Sequence, residues 1–157
     1  MVILWTFIIL TILLITSVFI LKRKMNGLSI IGCYLSSNIF IELSGVIINI
    51  NLKLTQSPDE AMSLWTQKIA SIGAKPLLVI WAIFIFYSDL KLFIKATIIT
   101  FFIFSLVSFE LLFIKLGFLE FVKWNTFYEF LRYLGIFILT ALYVKILGNL
   151  IKKELNA

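Results

Sequence analysis

The first 21 residues, MVILWTFIILTILLITSVFIL, carry no charged side chain, and the basic triplet Lys22, Arg23, Lys24 follows at once. As a helix such a run is long enough to cross the roughly 30 Å of hydrocarbon in a bilayer. Further apolar runs occupy about 28–50, 76–90, 96–114 and 133–151, and the charges cluster between them. The 157-residue chain is 62% hydrophobic and 14% charged, against about 45–50% and about 25% in soluble domains. So short a chain has too little interior to hide that excess. The expectation is an all-α integral membrane protein: one transmembrane domain over 1–157, a bundle of about five transmembrane helices, with two amphipathic interfacial helices on the outer side.

The third run is the shortest. It has about 12 clean apolar residues before Ser88 and Asp89, at the low end for spanning. A four-helix alternative makes this run re-entrant or fuses it with the fourth. The first run lacks the leading positive charge and small-residue cleavage site of a signal peptide, so it reads as an uncleaved span.

Basic residues set the expected orientation. With five spans and the N-terminus outside, the cytoplasmic side receives Lys22, Arg23, Lys24, Lys91, Lys95, Lys152 and Lys153. The outer side receives Lys53, Lys68, Lys75, Lys115, Lys123 and Arg132. Seven against six is a small bias. The inner cations are concentrated in short loops, where the rule applies best. The C-terminus is then cytoplasmic and the location a bacterial cell membrane. The net charge of +6 and pI of about 9.5 report this topology and anionic headgroups; no basic-aromatic stripe on a soluble face points to nucleic acid.

The segment SPDEAMSLWTQKIASIG predicts the first interfacial helix. Ser57 is its N-cap, Pro58 its first residue and Glu60 closes a capping box, with Asp59-Glu60 also favoured by the helix dipole. Met62, Trp65, Ile69 and Ile72 form its apolar face, Trp65 anchors it, and Gly73 stops it. The segment GFLEFVKWNTFYEFLR, with Phe121, Trp124, Tyr128 and Leu131 on one face, predicts a second interfacial helix or a helical lead-in to the last span. Glu120, Lys123, Glu129 and Arg132 lie mostly off that face.

The second span holds a polar line. Asn38, Glu42, Gly45 and Asn49 are spaced four, three and four, so they share one narrow helix face, with Tyr34 on the same stripe. Lipid cannot solvate such a line, so neighbouring helices or a water-filled cavity must cover it. Two readings stand. In the structural one, a neutral Glu42 and the two asparagines hydrogen-bond to adjacent helices, and Gly45 lets a backbone approach. In the functional one, the stripe lines a proton, ion or solute path. Glu110 in the fourth span either reaches the outer headgroups, pairing with Lys115 or Lys123, or faces Glu42 in an outer vestibule. Asn38, Glu42, Asn49 and Glu110 are therefore the candidate intramembrane site. Lys145 is expected to snorkel to the cytoplasmic headgroups, with a bridge to Glu42 as the alternative.

Enzyme chemistry finds little here. There is no histidine and one cysteine, Cys33. That removes Ser-His and Cys-His pairs and the usual zinc, haem and copper sites, so no cofactor and no metal are expected. No phosphate-binding loop or dinucleotide fingerprint occurs. Lipid modification is the alternative if the chain is an enzyme at all. Cys33 sits in an apolar run and reads as a small buried hydrophobe.

YLSSNIFIEL in the second span, Glu110 in the fourth, and the following LGFLEFVKWNTFYEFLRYLGIFILTALYVKIL resemble a family of small uncharacterised multi-spanning membrane proteins of spore-forming Firmicutes. Trp124 stands where that family has a loop tryptophan, although Lys123 replaces the glycine before it. The resemblance implies location and fold and carries no activity. The expected function is an accessory, structural or interaction protein of the membrane. Its partners would be the lipid bilayer, a second copy or other membrane proteins. The alternative is a small transporter or channel component with a polar path along the second span.

Overall fold

A computed structural model describes residues 2–22, 26–58 and 60–155, the side chains of Lys152, Glu154 and Leu155 excepted. Helix α1 (Val2–Leu21) is apolar all round and buries only Phe7 and Leu21, as suits a helix that meets lipid on most sides. Helix α2 (Gly27–Val46) starts at Asn26, whose Oδ1 accepts from the Leu28 amide, and passes into a π-helical turn, Ile47–Asn51. The chain then reverses through Lys53, held at φ 50°, into a two-residue strand β1 (Thr55–Gln56).

Helix α3 (Ala61–Ile69), a second π-helical turn (Ala70–Ala74) and helix α4 (Lys75–Tyr87) form one continuous rod. Pro76 has no N–H to give the Ile72 carbonyl four residues back; that oxygen accepts the Tyr34 hydroxyl of α2 at 2.9 Å. The π register thus lets the rod continue through a proline and ties it to α2. Helix α5 (Leu92–Lys115) ends in a Schellman cap. Gly117 at φ 71° donates to Ile114, and Phe118 donates to Phe113, which satisfies the last carbonyls. Strand β2 (Glu120–Phe121) pairs antiparallel with β1, Thr55 opposite Phe121 and Gln56 opposite Glu120. Helix α6 (Thr126–Leu155) begins at Asn125, whose Oδ1 caps the Tyr128 amide at 2.9 Å,.

Five helical segments, Val2–Leu21, Gly27–Asn51, Ala61–Tyr87, Leu92–Lys115 and Thr126–Ile151, are long and apolar enough to cross a membrane. The β1–β2 bridge joins the connections that follow α2 and α5, so those two helices end on the same side. We call this the β end and the opposite side the far end. The α3–α4 rod is the centre of the bundle: 50% of its span is buried, against 6% for α1 at the periphery. Ile80 and Ile83 of α4 meet Ile103 and Leu106 of α5 and Ile136 of α6 in the main apolar core. Cys33 is fully buried in that core.

The structure revises several sequence expectations. The third span begins at Ala61 and not near 76, so it is long and needs no fusion with α5; a bend over residues 88–90 separates the two. The capping box does not form. The helix starts at Ala61 behind Glu60, which makes no side-chain cap, and the Ser57 hydroxyl donates to Gln67 Oε1 at 3.2 Å instead. Asp59, Arg23, Lys24 and Met1, to which the sequence reading gave roles, lie outside the described residues.

Gly73 does not stop a helix. It lies inside the π turn, and a Cβ there would stand 2.6 Å from Thr11 Cγ2, so its bareness lets α1 approach,. The first interfacial stretch is the start of the central rod and not a separate element. Its small polar residues Ser63 and Thr66 face inward and Leu64 and Trp65 face out, the arrangement lipid favours. Of the second stretch, 120–121 is strand and the part from Thr126 is a helical lead-in to α6.

Candidate functional site

Two stripes face each other at the β end. On α2, Glu42, Gly45 and Asn49 point to one side. On the central rod, Lys68, Ser71 and Lys75 recur at spacings of three and four and so share a face. Lys68 Nζ pairs with Glu42 Oε2 at 2.5 Å, and the Ser71 hydroxyl donates to Glu42 Oε1. This pair is half open, its side chains 53% and 33% exposed.

Two turns along the rod, the second pair is closed. Lys75 Nζ lies 2.7 Å from Glu110 Oε1, each side chain about 6% exposed, with the ammonium over the Phe113 ring. The Tyr133 hydroxyl donates to the same Oε1 at 2.6 Å. Arg132 Nη1 stands 3.8 Å away and pairs with Glu129 Oε1 at 2.7 Å. The rest of the guanidinium reaches across to α2, where Nε donates to Ser44 Oγ and Nη2 to the Ile41 carbonyl. Arg132 is therefore a clamp between α6 and α2, using the planar spread of donors that lysine lacks. Glu129 Oε2 accepts the Trp124 indole N–H at 2.7 Å.

Three carboxylates and three cations from four spans thus compensate one another. The dry surroundings of Lys75, Glu110, Glu129 and Arg132 make each of these charges dependent on its partner,. Between the stripes lies a cavity of about 260 Å³, lined among others by Glu42, Gly45, Asn49, Lys68, Lys75 and Glu110.

Of the sequence candidates, Glu42 and Asn49 line this cavity and Glu110 sits at its buried side. Glu110 pairs with Lys75 and Tyr133 and not with Lys115 or Lys123, and it shares a cavity with Glu42. Asn38 does not join them: its Oδ1 is buried with no hydrogen-bond partner among the described residues. The group approaching Gly45 is the Arg132 guanidinium, 3.6 Å from where a Cβ would stand, and not a backbone. Lys145 is exposed, and Glu42 has Lys68 as its partner.

From the sequence alone Lys68, Lys75, Glu129 and Arg132 read as loop or interface charges. The rhythm of Lys68, Ser71 and Lys75, matching that of the α2 stripe, was the available signal. Glu129 and Arg132, three apart on a helix, were another.

Comparison of the chain with family models, with curated proteins and with solved structures finds no match. Among the described residues no three His, Cys, Asp or Glu side chains gather as metal ligands would.

Proposed function

We propose that the chain is an accessory protein of a bacterial cytoplasmic membrane that acts by binding lipid and neighbouring membrane proteins, and that it neither conducts nor catalyses. The observation that carries this reading is where the charges stop. The cluster fills the β end and compensates itself there. Beyond it the bundle centre is mostly apolar, with Ile80, Ile83, Ile103, Leu106, Ile136 and Ala141, and its buried polar side chains, Ser37, Asn38 and Thr140 among them, are uncharged. An ion or proton path needs polar groups or water across that layer.

The orientation keeps the N-terminus outside and the C-terminus in the cytoplasm because the far-end cations Lys22, Lys91 and Lys95 stand in or beside short connections, where the basic-residue rule applies best,. At the β end Lys68, Lys75 and Arg132 are engaged by carboxylates, while Lys53, Lys115 and Lys123 there make no ion pair among the described residues. The resemblance to small Firmicutes membrane proteins fits the same location.

The transporter reading has one observation of its own. Asn38 Oδ1 and Thr140 Oγ1 are buried in the apolar half without a hydrogen-bond partner among the described residues, where a transient water file would need them. Purified protein in proteoliposomes carrying a pH-sensitive dye separates the two. The accessory reading expects proton and potassium leak equal to that of empty vesicles, and no new lipid species by mass spectrometry. A leak that Glu42→Gln abolishes replaces it with the path reading, and lipid turnover replaces it with an enzyme. Crosslinking in native membranes is expected to give discrete adducts with itself or another membrane protein.

A further inference from the structure

Lys68 belongs to two hollows at once. It lines the charged cavity, and it also lines an apolar hollow of about 420 Å³ bounded by Thr11 and Ile15 of α1, Tyr34 of α2, and Trp65, Ile72 and Leu77 of the central rod. That hollow continues, through the shared Ile15, Tyr34 and Leu77, into a third of about 250 Å³ lined by Val18, Phe19, Ile31 and Leu35, with Lys22 at its far-end lip. Here α1 and α2 stand apart, both resting on the central rod, and leave an apolar furrow that faces outward between them.

From Lys68 to Ile80 the furrow follows 12 residues of rod, about 18 Å of helix. One leaflet of hydrocarbon is about 15 Å deep, half of the roughly 30 Å core. Its walls offer almost no polar surface, while its head is a lysine, a carboxylate and a hydroxyl. An apolar furrow long enough for an acyl chain, continuous at one end with a charged pocket, has the two-part chemistry of one membrane lipid.

We propose that this is a lipid site: an acyl chain lies in the furrow between α1 and α2, and an amine-bearing zwitterionic phospholipid headgroup enters the charged cavity past Lys68. The headgroup class follows from the charges at the mouth. Lys68 and the Ser71 hydroxyl are donors for the phosphate. Glu42, which they now hold, turns to the ammonium. The result is an alternating set of four charges with none left uncompensated. A purely anionic head would instead set a phosphate beside Glu42 with no cation to spare, since Lys75 and Arg132 are held by Glu110 and Glu129. A quaternary choline has the charge but no N–H to donate to Glu42. The order expected is therefore ethanolamine over choline over glycerol headgroups.

The site rests on the membrane placement above and is independent of whether the chain conducts. Trp65 sits on the furrow wall and is 66% exposed, so it serves as the reporter. The full chain is reconstituted in vesicles of unlabelled phosphatidylcholine containing a minor fraction of phosphatidylethanolamine, phosphatidylcholine or phosphatidylglycerol with brominated chains. The Trp65 signal is the difference between the wild-type chain and Trp65→Phe.

Expected is at least twofold stronger quenching of that difference by the brominated ethanolamine lipid than by either of the others. Glu42→Gln should remove the preference while chain quenching persists. Equal quenching by all three lipids overturns the proposal, leaving ordinary annular contact, and strongest quenching by the glycerol lipid overturns the headgroup assignment. Absence of quenching by any brominated lipid overturns the membrane placement as well. If Trp65→Phe fails to fold, bound lipid retained through detergent purification and weighed by mass spectrometry reads the same order in the unaltered chain.

Discussion

The two ends of this bundle are held together by different physics. At the β end, charge and hydrogen bonds fix the helices: Arg132 clamps α6 to α2, Lys75 joins α4 to α5, and the β1–β2 bridge ties two connections. Toward the far end, Ile80, Ile83, Ile103 and Leu106 meet through packing, helped by two neutral hydrogen bonds between helices, from the Trp81 indole to Ser17 and from the Tyr87 hydroxyl to the Ala141 carbonyl, and without an ion pair among the described residues. In a bilayer the lipid tails are as apolar as the core, so burying these side chains brings little transfer free energy and their contribution is mainly packing. The β end specifies which helices are neighbours, and the far end fills the space that this specification leaves.

The largest test of that contrast is Glu110→Ala. It leaves the buried Lys75 ammonium and Tyr133 hydroxyl without their acceptor, and loss of about 3–5 kcal/mol is expected, read as a large fall in the thermal midpoint of the detergent-solubilised chain. Replacing both partners, Lys75→Met with Glu110→Leu, should recover most of it, because two apolar side chains of similar volume leave no orphaned charge. A double variant as unstable as the single one would mean that the site needs these charges for more than pairing.

Ile83→Ala probes the other half. The same truncation in a water-soluble core costs about 2–5 kcal/mol, part of which is transfer. With lipid as the reference only the packing part remains, so about 2 kcal/mol is expected by the same melt. A loss as large as that of Glu110→Ala would erase the distinction between the ends. Gly73→Ala comes next, at about 1–3 kcal/mol of overpacking, because its Cβ would strike Thr11 of α1. Thr11→Ala removes the two nearest atoms, so the double variant should show a favourable coupling, measured as a double-mutant cycle.

These contrasts also explain how far the sequence could be read. Apolar run length reports the solvent of a helix, so five candidate spans are legible, although the third is read at about 76–90 and its helix starts at Ala61; the stripe with Glu42 is visible because helical periodicity is a local property. The partners of that stripe were less legible. Lys68 and Lys75 fall in a segment whose Pro58, Gly73 and Pro76 read locally as a start, a stop and a new start. The structure passes through the last two by adopting a π turn, which depends on Tyr34 of another helix taking up the Ile72 carbonyl. Glu110 was seen, but its burial depends on Tyr133 and Lys75, distant in sequence. Pairing across helices is where one-dimensional pattern stops being informative.

The smallest effect sharpens the comparison within the β end itself. Glu42 and Lys68 form an ion pair as short as any in the cluster, yet it is half open to solvent, and exposed pairs contribute about 0–1 kcal/mol. Glu42→Gln keeps an acceptor for Ser71 and Lys68 and should shift the melting midpoint by no more than a degree or two, far less than Glu110→Ala. Glu42 and Glu110 line one cavity and differ mainly in their access to water. A near-silent Glu42→Gln would therefore divide that cavity into a floor that holds the bundle together and a mouth whose charges are free to meet something else. A collapse on Glu42→Gln would instead make the whole stripe structural, and the mouth would then have no charge to spare for a headgroup.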